Sequence, residues 1–463
     1  MVNRIKRVHP ASYSPKQHAF PFDRSVSPHV MTRTHTPIAI LGAGLTGMSA
    51  AFHLKQDGVP FRIFERNAAA GGHATTYVDD GYRFDKTGHL LHLRDAAMRE
   101  LVMRWIGNDW VEVNRRSRVW LHGTYTRYPF QANTYGLPPQ VAYECLMGFI
   151  EASQKTHAEA PKNFEEYCLQ KFGEGISRHF MIPYNCRLWG VHPSEITADW
   201  CQRFVPLPKL EDVVAGAVGL NDRELGYNTS FVYPRLGIGE LPKGMARDLP
   251  EIEYNRAPKA IDYAKKELHF DDEVITYDAL ITTAPLKPFV TNLVGVPDDV
   301  RAAAAKLRCN PLWYIDLAIK VPSKTDHHWV YVPEEKYPFY RLGCYSHFSA
   351  AMAPENGACF YIELSDRNEP DMSVVLPKVV EGMIEMGILS SADDVAFAKA
   401  RCIDYAYVIF DHAYFPSLEV VKPFLQNAGI VAAGRYGDWN YSSMEDALLF
   451  GRDAAKKARA SLI

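Results

Sequence analysis

The feature that most constrains this chain is an apolar run, Ile38-Ala39-Ile40-Leu41, leading directly into Gly42-Ala43-Gly44-Leu45-Thr46-Gly47. Leu45, Met48, Ala51 and Phe52 recur at helical spacing, and a second apolar run, Phe61-Arg62-Ile63-Phe64, ends at Glu65. Strand, glycine turn, helix and strand make a βαβ unit. In such a unit the first glycine makes the turn, the second lets backbone amides approach a pyrophosphate, and the third lets helix and strand pack closely. The helix N-terminus adds the positive end of a dipole. Glu65 stands 18 residues after Gly47, where a carboxylate accepts hydrogen bonds from a ribose. The hexapeptide alone is a weak signal. With both strands and the acidic residue in place it reads as dinucleotide binding, against the competing reading of a glycine loop in an unrelated α/β sheet.

At 463 residues the chain exceeds one ordinary hydrophobic core, so two or three domains are expected. Hydrophobic residues at 47% and charged residues at 23% exclude the disordered and fibrous classes. The 25 Tyr and 8 Trp suit a site that stacks on bases and sugars, although large cores consume aromatic residues too. A formal charge of -3 offers no footprint for nucleic acid or an anionic membrane, so a bound anion must be met by local groups. The eight cysteines are scattered without a C-x-x-C pair, which fits a reduced, cytoplasmic protein. No run approaches the roughly 18 apolar residues of a membrane span, and no signal-peptide core is present. Residues 1–35 hold basic residues, prolines and histidines without period and are expected to form an irregular arm, with Met31 a second candidate start. An arm packed on a partner subunit fits the same composition.

Further along, Gly71-Gly72 precedes two expected strands, Thr75-Thr76-Tyr77-Val78 and Tyr82-Arg83-Phe84, joined by a tight turn. Residues 138–203 carry a helical pattern interrupted at Pro183. Strand-like runs return at 230–233, 279–283, 313–321, 329–332 and 359–364. Ile430-Val431-Ala432-Ala433 then enters Gly434-Arg435, and a helix starts near Ser443 with Met444, Leu448, Gly451 and Ala455 on one face. The expected fold class is α/β: a Rossmann-type dinucleotide-binding domain with an inserted helical domain and a mainly antiparallel β-sheet domain. The expected boundaries are 36–110, 210–295 and 425–463 for the dinucleotide domain, 136–209 for the helical domain with a mobile substrate loop, and 111–135 with 296–424 for the sheet.

Directly after Glu65, Arg66-Asn67-Ala68-Ala69-Ala70-Gly71-Gly72 resembles the extended fingerprint of the FAD-dependent amine-oxidase and UDP-galactopyranose-mutase superfamily. Gly434-Arg435-Tyr436-Gly437-Asp438-Trp439 and the helix that follows resemble its C-terminal partner. The resemblance implies FAD held by Gly42, Gly44, Gly47, Glu65, Arg66, Gly71, Gly72, Gly434, Arg435 and Met444. A helix N-terminus beside the ring would stabilise negative charge on reduced isoalloxazine.

From residue 36 onward most of the chain resembles the UDP-galactopyranose mutase family, particularly its eukaryotic-type branch. Tyr128-Pro129-Phe130-Gln131 and Phe180-Met181-Ile182-Pro183-Tyr184-Asn185 resemble segments that sandwich the nucleotide base, which implies stacking by Phe180 and Tyr128 and hydrogen bonds from Gln131 and Asn185. Each aromatic taken singly is more often a core residue. Trp189-Gly190 and Arg203, fourteen residues beyond Trp189, resemble the mobile-loop motif. Arg341, in Phe339-Tyr340-Arg341, resembles the second arginine, with Tyr331 ten residues before it. Two guanidinium forks would roughly neutralise a diphosphate, although a random surface arginine usually has a solvated partner. Asn228, in Asn228-Thr229-Ser230-Phe231, resembles a residue that touches the hexose, and Tyr407 and Tyr441 resemble tyrosines facing diphosphate and sugar. His89, in Gly88-His89-Leu90-Leu91-His92, resembles the histidine beside flavin N5, whereas His92 reads as a satisfied core histidine.

The implied reaction interconverts the pyranose and furanose forms of a UDP-galactose-like or GDP-sugar through a sugar adduct on N5 of reduced FAD, with His89, Arg203 and Arg341 as the catalytic set and no net redox change. The implied role is supply of furanose donors for a glycan or glycosylated metabolite. Magnesium bridging the diphosphate and a carboxylate is compatible with this chemistry but has no readable signature. Asp326-His327-His328 carries ligand types, yet neighbours on a strand point to opposite faces, so it reads as a solvated loop and no protein-held metal is expected. Two departures stand out. Pro234-Arg235-Leu236-Gly237-Ile238-Gly239 stands where many of these mutases carry a Gly-Gly pair, so that Leu236 and Ile238 would either crowd the ring or change how tightly the flavin is held, and Ser443 stands where many bacterial members carry an aspartate. An FAD-dependent oxidase or desaturase of the amine-oxidase type would share the cofactor fingerprints without requiring the two arginines. A binding protein that keeps the fold without using the cofactor is the third reading. The base, the hexose and the choice between monomer and homo-oligomer stay open.

Overall fold

Strands whose side chains are apolar on both faces need cover on both, and this requirement organises the first sheet. The computed structural model describes residues 31–156, 158–201, 205–220 and 229–462. Thr32–Leu41 lies between Phe61–Phe64 and Glu273–Thr282, parallel to both. Ile252–Glu253 extends the sheet beyond Phe61–Phe64, and Ile430–Ala432 pairs in parallel with the far edge of Glu273–Thr282. Glu267–His269 and Ala260–Asp262 complete it as antiparallel strands. Ile38, Ile40, Ile63 and Ile281 are fully buried, each contributing roughly 2 kcal/mol through the area it removes from water.

The first strand starts earlier than its sequence suggests. Residues 32–35, expected within the irregular arm, pair in parallel with residues 273–276. Their side chains are exposed and carry no apolar period, so only the edge offered by the ten-residue partner strand reveals them. Polar contacts hold the extension, among them Arg33 to Glu267 at 2.5 Å, while Arg62 bridges Glu253 and Glu273 at 2.8 Å each.

The helices Leu45–Gln56 and Met444–Ala460 pack tightly against each other. A Cβ at Gly451 would lie 2.3 Å from the Thr46 carbonyl, and Ser49 Oγ donates to the Leu448 carbonyl at 2.6 Å. The C-terminal helix is thereby fixed on the first turn of the first helix, although most of the chain separates them.

The second sheet runs in the order Val395–Ile409, Arg308–Ile319, Ala358–Leu364, Phe339–Cys344, Trp329–Tyr331, Ser117–Leu121, Thr124–Arg127. It is antiparallel except where Trp329–Tyr331 meets Ser117–Leu121. The hairpin of Thr76–Asp79 and Tyr82–Asp85 is bound to it by Arg401, which reaches Asp316 at 2.5 Å and Asp79 at 2.7 Å. Burial pushes Asp316 up to about 7 in spite of Arg401. Trp110–Asn114 and Ser230–Pro234 form a separate antiparallel ribbon.

The helical portion consists of Pro139–Gln154, Phe164–Ile176 and Ile182–Trp189. Gly173 adopts φ 75° inside the second of these, and a Cβ there would lie 2.0 Å from the Gly148 carbonyl, so the first two helices touch through backbone. The expected interruption at Pro183 is mild. Proline falls in the first turn of Ile182–Trp189, where its missing N–H costs nothing, and a widened turn at Ser177–Met181 leads into it.

Candidate active site

Backbone builds the dinucleotide side. Gly42 sits at φ 100° with only 2.3 Å between a notional Cβ and Thr283 Oγ1, and a Cβ at Gly47 would lie 1.9 Å from the Gly42 carbonyl. Gly71 bridges in parallel to Gly44 and donates to the Ala43 carbonyl at 2.8 Å, so the Gly71-Gly72 pair crosses directly over the first turn. Gly434, at φ 85°, rests on Thr46 from the other side. Three glycine motifs from distant parts of the chain therefore surround the start of one helix.

Glu65 is buried and pre-oriented. One carboxylate oxygen accepts from the Ala43 N–H at 2.8 Å, and the other from Asn67 N–H at 2.9 Å and Nδ2 at 2.7 Å. Arg66 beside it is exposed. At the C-terminal helix Ser443 is the N-cap: its Oγ accepts from Asp446 N–H at 3.2 Å, and the Asp446 carboxylate accepts from Ser443 N–H at 2.8 Å. Serine at this position thus starts the helix that places Met444. The adjacent Glu445, buried, accepts from Asp95 N–H at 2.8 Å and from Arg94, anchoring this turn to residues 94–95.

Ile238 does not crowd the site. It turns into the core with Leu241 and Leu91, its N–H bonded to the Asp85 carboxylate at 3.1 Å, while Gly239 N–H bonds Thr76 Oγ1 at 2.8 Å. Leu236 is half-buried on the same segment. Asp85 also accepts from Tyr233 at 2.5 Å, and burial pushes its carboxyl up to about 7. His89 is half-buried with Nδ1 enclosed and unpartnered, and burial together with Arg435 pushes its imidazole down to about 4. His92 bonds the Ser230 carbonyl at 2.9 Å as a core histidine does. His328, expected in a solvated loop, is buried with Nδ1 accepting from Arg116 N–H at 2.8 Å, because Phe231 and Phe348 cover the bend that leads into Trp329–Tyr331. Among the described residues no three His, Cys, Asp or Glu side chains gather as a metal site.

Side chains build the opposite wall. Arg341 and Glu363 face each other in cross-strand register, with Nη2–Oε1 at 2.7 Å and Nε–Oε2 at 3.0 Å. The same Nη2 donates to Tyr407 Oη at 3.0 Å. Burial acts to lower the Arg341 pKa, but Glu363 and the surrounding phenols hold it well above the usual value. Tyr407 stacks on Tyr441 with centroids 6.3 Å apart, and the Arg435 guanidinium lies 4.6 Å over Tyr441 while donating to the Ser442 and Ala406 carbonyls at 2.9 Å. Burial and Glu363 push the Tyr407 phenol up to about 12, with Arg341 opposing. One chain of contacts thus runs from Glu363 through Arg341 and the tyrosines to the glycine motif at Gly434.

Other expected contacts are arranged differently. Tyr128 stacks on Tyr331 at 4.6 Å and 23°, under Arg115 at 5.2 Å, rather than opposing Phe180. Phe180 has both faces occupied, by Phe130 at 4.8 Å and Tyr184 at 5.2 Å, so it is not open to a base. Asn185 serves its own helix, donating to the Met181 carbonyl at 2.7 Å and accepting from Trp189 Nε1 at 3.1 Å. Gln131 is buried and donates to the Pro206 carbonyl at 2.8 Å. Trp189 is fully enclosed, edge-on to Trp200, Tyr407 and Tyr441. Tyr184 keeps a buried hydroxyl without a partner. Arg203 and Asn228 lie outside the described residues. Glu363, Glu445 and Arg115 were missed from sequence; the one available signal was a lone glutamate in the otherwise non-charged strand Ala358–Leu364.

A parallel sheet carrying glycine turns, closed by a C-terminal strand and helix and faced by an antiparallel sheet, defines a flavoenzyme fold built on a Rossmann-like dinucleotide-binding domain. Residues 40–105 match the family of NAD(P)-binding Rossmann-like domains. Over 92% of its length the chain superposes on 94% of a crystal structure of reduced UDP-galactopyranose mutase, with a TM-score of 0.86 and 28% identity. It also superposes on 99% of a protein assigned as a protoporphyrinogen oxidase from Exiguobacterium, covering 93% of this chain at a TM-score of 0.72 and 15% identity. For a putrescine oxidase variant the figures are 92% of this chain, 100% of that chain, 0.64 and 14%. The last two likenesses carry the fold alone. A 4,4'-diapophytoene desaturase from Staphylococcus haemolyticus is 44% identical over 48 residues, a tenth of either chain. Within the class, the chain is similar to the UDP-galactopyranose mutase family. Among the described residues no helix is long and apolar enough to cross a membrane.

Proposed function

We propose that the chain is a nucleotide-sugar mutase that interconverts the pyranose and furanose forms of a hexose carried on a nucleoside diphosphate, working with reduced FAD. The observation that carries the reading is the Arg341 site. Glu363 holds the guanidinium plane from one side, Tyr407 sits on its Nη2, and the tyrosine pair continues to Arg435 in the dinucleotide motif. A pre-oriented planar cation flanked by phenol donors matches a diphosphate, and an oxidase of small amines has no need of one. The 28% identity to a UDP-galactopyranose mutase over nine-tenths of the chain supports the same reading.

The residues present fit FAD. A Cβ at Gly42, Gly47 or Gly434 would clash, one at Gly44 would meet only open space beside Gly72, and the buried nitrogens of His73 and His89 and the Thr75 hydroxyl have no protein partner. FAD would be held by Gly42, Gly44, Gly47, Glu65, Arg66, Gly71, Gly72, Gly434, Arg435 and Met444. When bound and reduced it would supply a nucleophile for the anomeric carbon. Arg341, with Arg203, would hold the diphosphate as the sugar exchanges its ring oxygen, a positioning role. Tyr407, keeping its proton to about pH 12, would donate to a phosphate oxygen. His89, neutral at neutral pH, would contribute a hydrogen bond without adding charge. Tyr128, Tyr331, Tyr184 and Tyr441 would line the base and sugar, with Phe180, Trp189, Asn185 and Gln131 supporting them from behind.

The test is incubation of purified protein with UDP- and GDP-hexoses, with and without dithionite and EDTA, following isomers by chromatography and the flavin by absorbance. A reductant-dependent isomer of unchanged mass is expected. Oxygen uptake or a two-hydrogen mass loss would overturn the mutase reading in favour of an oxidase or desaturase, and loss of turnover in EDTA would add a divalent cation.

A further inference from the structure

His73 follows the Gly71-Gly72 pair where that pair crosses the first glycine turn. Its ring stands edge-on to Tyr436, with centroids 5.2 Å apart, so it touches the C-terminal motif as well. Nδ1 is enclosed and has no hydrogen-bond partner in the protein. An imidazole nitrogen hidden from water without a partner costs on the order of 1–3 kcal/mol, and such a group calls for a ligand. Thr75 Oγ1, two residues on, is likewise buried without a partner, and so is Nδ1 of His89, whose ring is near enough to act on the charge of His73. Burial, with Lys86, His89, Arg435 and Arg66 around it, pushes the His73 imidazole down to about 3. A neutral ring within a cationic wall retains both a donor and an acceptor nitrogen for an anionic ligand.

We infer that His73 is a positioning residue for the bound dinucleotide, giving it a hydrogen bond from the junction between the Gly71-Gly72 loop and the Gly434 motif. The inference rests on the FAD reading of the preceding subsection. Neither the glycine fingerprint nor the helix dipole requires an imidazole at this position, so the contribution belongs to this chain's own side chain.

The experiment is fluorescence titration of the flavin-stripped full chain with FAD, for wild type, His73→Ala, His73→Phe and His73→Asn, with the flavin reduction potential and absorption band recorded on each loaded protein. His73→Ala and His73→Phe are expected to weaken FAD binding about tenfold and to move the potential and band, with His73→Asn restoring part of both through its amide. FAD binding by wild type with unchanged affinity, potential and band in His73→Ala and His73→Phe would overturn the inference and leave the FAD reading standing. A wild type that binds no FAD would overturn both. Should His73→Ala unfold, as melting of the flavin-free protein would show, His73→Asn and His73→Phe decide: equal affinity and potential in those two would overturn the inference.

Discussion

On the dinucleotide side the site is built mainly by backbone, and at Gly42, Gly47, Gly71 and Gly434 an added Cβ would press on neighbouring atoms. On the sheet side it is walled by Arg341, Glu363, Tyr331, Tyr407 and Tyr441, which come from separate strands and one loop. The first wall is a matter of shape and, at Gly42 and Gly47, leaves no latitude in side-chain size. The second is a matter of charge and stacking, and its parts are exchangeable if their partners change with them. The difference implies that cofactor-side substitutions act through strain, whereas sheet-side substitutions act through unmatched charge.

The largest effect is expected at Gly47. Gly47→Val forces atoms into the Gly42 carbonyl, should cost about 4 kcal/mol in the denaturant midpoint, and should abolish flavin retention. A Gly47→Val protein that folds and retains flavin normally would break the comparison at its first term. Next comes Glu363→Ala, which leaves the Arg341 guanidinium without its carboxylate and should destabilise by about 3 kcal/mol. Adding Arg341→Met should recover most of that loss, and a double-mutant cycle that finds the two losses simply additive would deny the exchangeability of this wall.

Acid should weaken the fold as a whole. His73, His89, His92, His327 and His328 have folded pKa values of about 3 to 4 against 6.5 for a free imidazole. As pH falls from 6.5 towards 4 the unfolded chain takes up protons that the folded one does not, so stability drops. Asp85 and Asp316, raised to about 7, act in the opposite sense, since stability tied to their protonated forms is lost as pH rises from about 4 to 7. His53 and His347 are lowered by burial as well, so the imidazoles outweigh the two carboxyls and leave a net loss towards acid. Calorimetry of the flavin-free protein should show a melting temperature lower at pH 5 than at pH 7 by about 5 °C, and the reverse order would contradict the burial of these imidazoles. The smallest effect is expected from Ser443→Ala, which removes the cap of the last helix and should cost about 1 kcal/mol in the same assay, with its oxidised flavin spectrum little changed.

Legibility followed the same division. The glycine turns, Glu65, the hairpin after Gly71-Gly72 and the helix start at Ser443 were readable because each is a local pattern of neighbours in sequence. Residues 32–35 escaped because their strand has no apolar alternation and exists through its partner. Glu363 escaped because its pairing depends on strand register, and the enclosure of Phe180 escaped because Phe130, which covers it, lies in another element.

By itself, the sequence determined that a parallel sheet with a glycine-lined turn must form and that a dinucleotide would rest on it, since conformational freedom at glycine and apolar periodicity are properties of adjacent residues. Only the tertiary structure decided which carboxylate answers Arg341, which aromatic faces are filled, and which imidazole nitrogens remain unpartnered. Those are set by pairings across the sheet and between helices, where residues far apart in the chain meet at hydrogen-bond distance and exclude water.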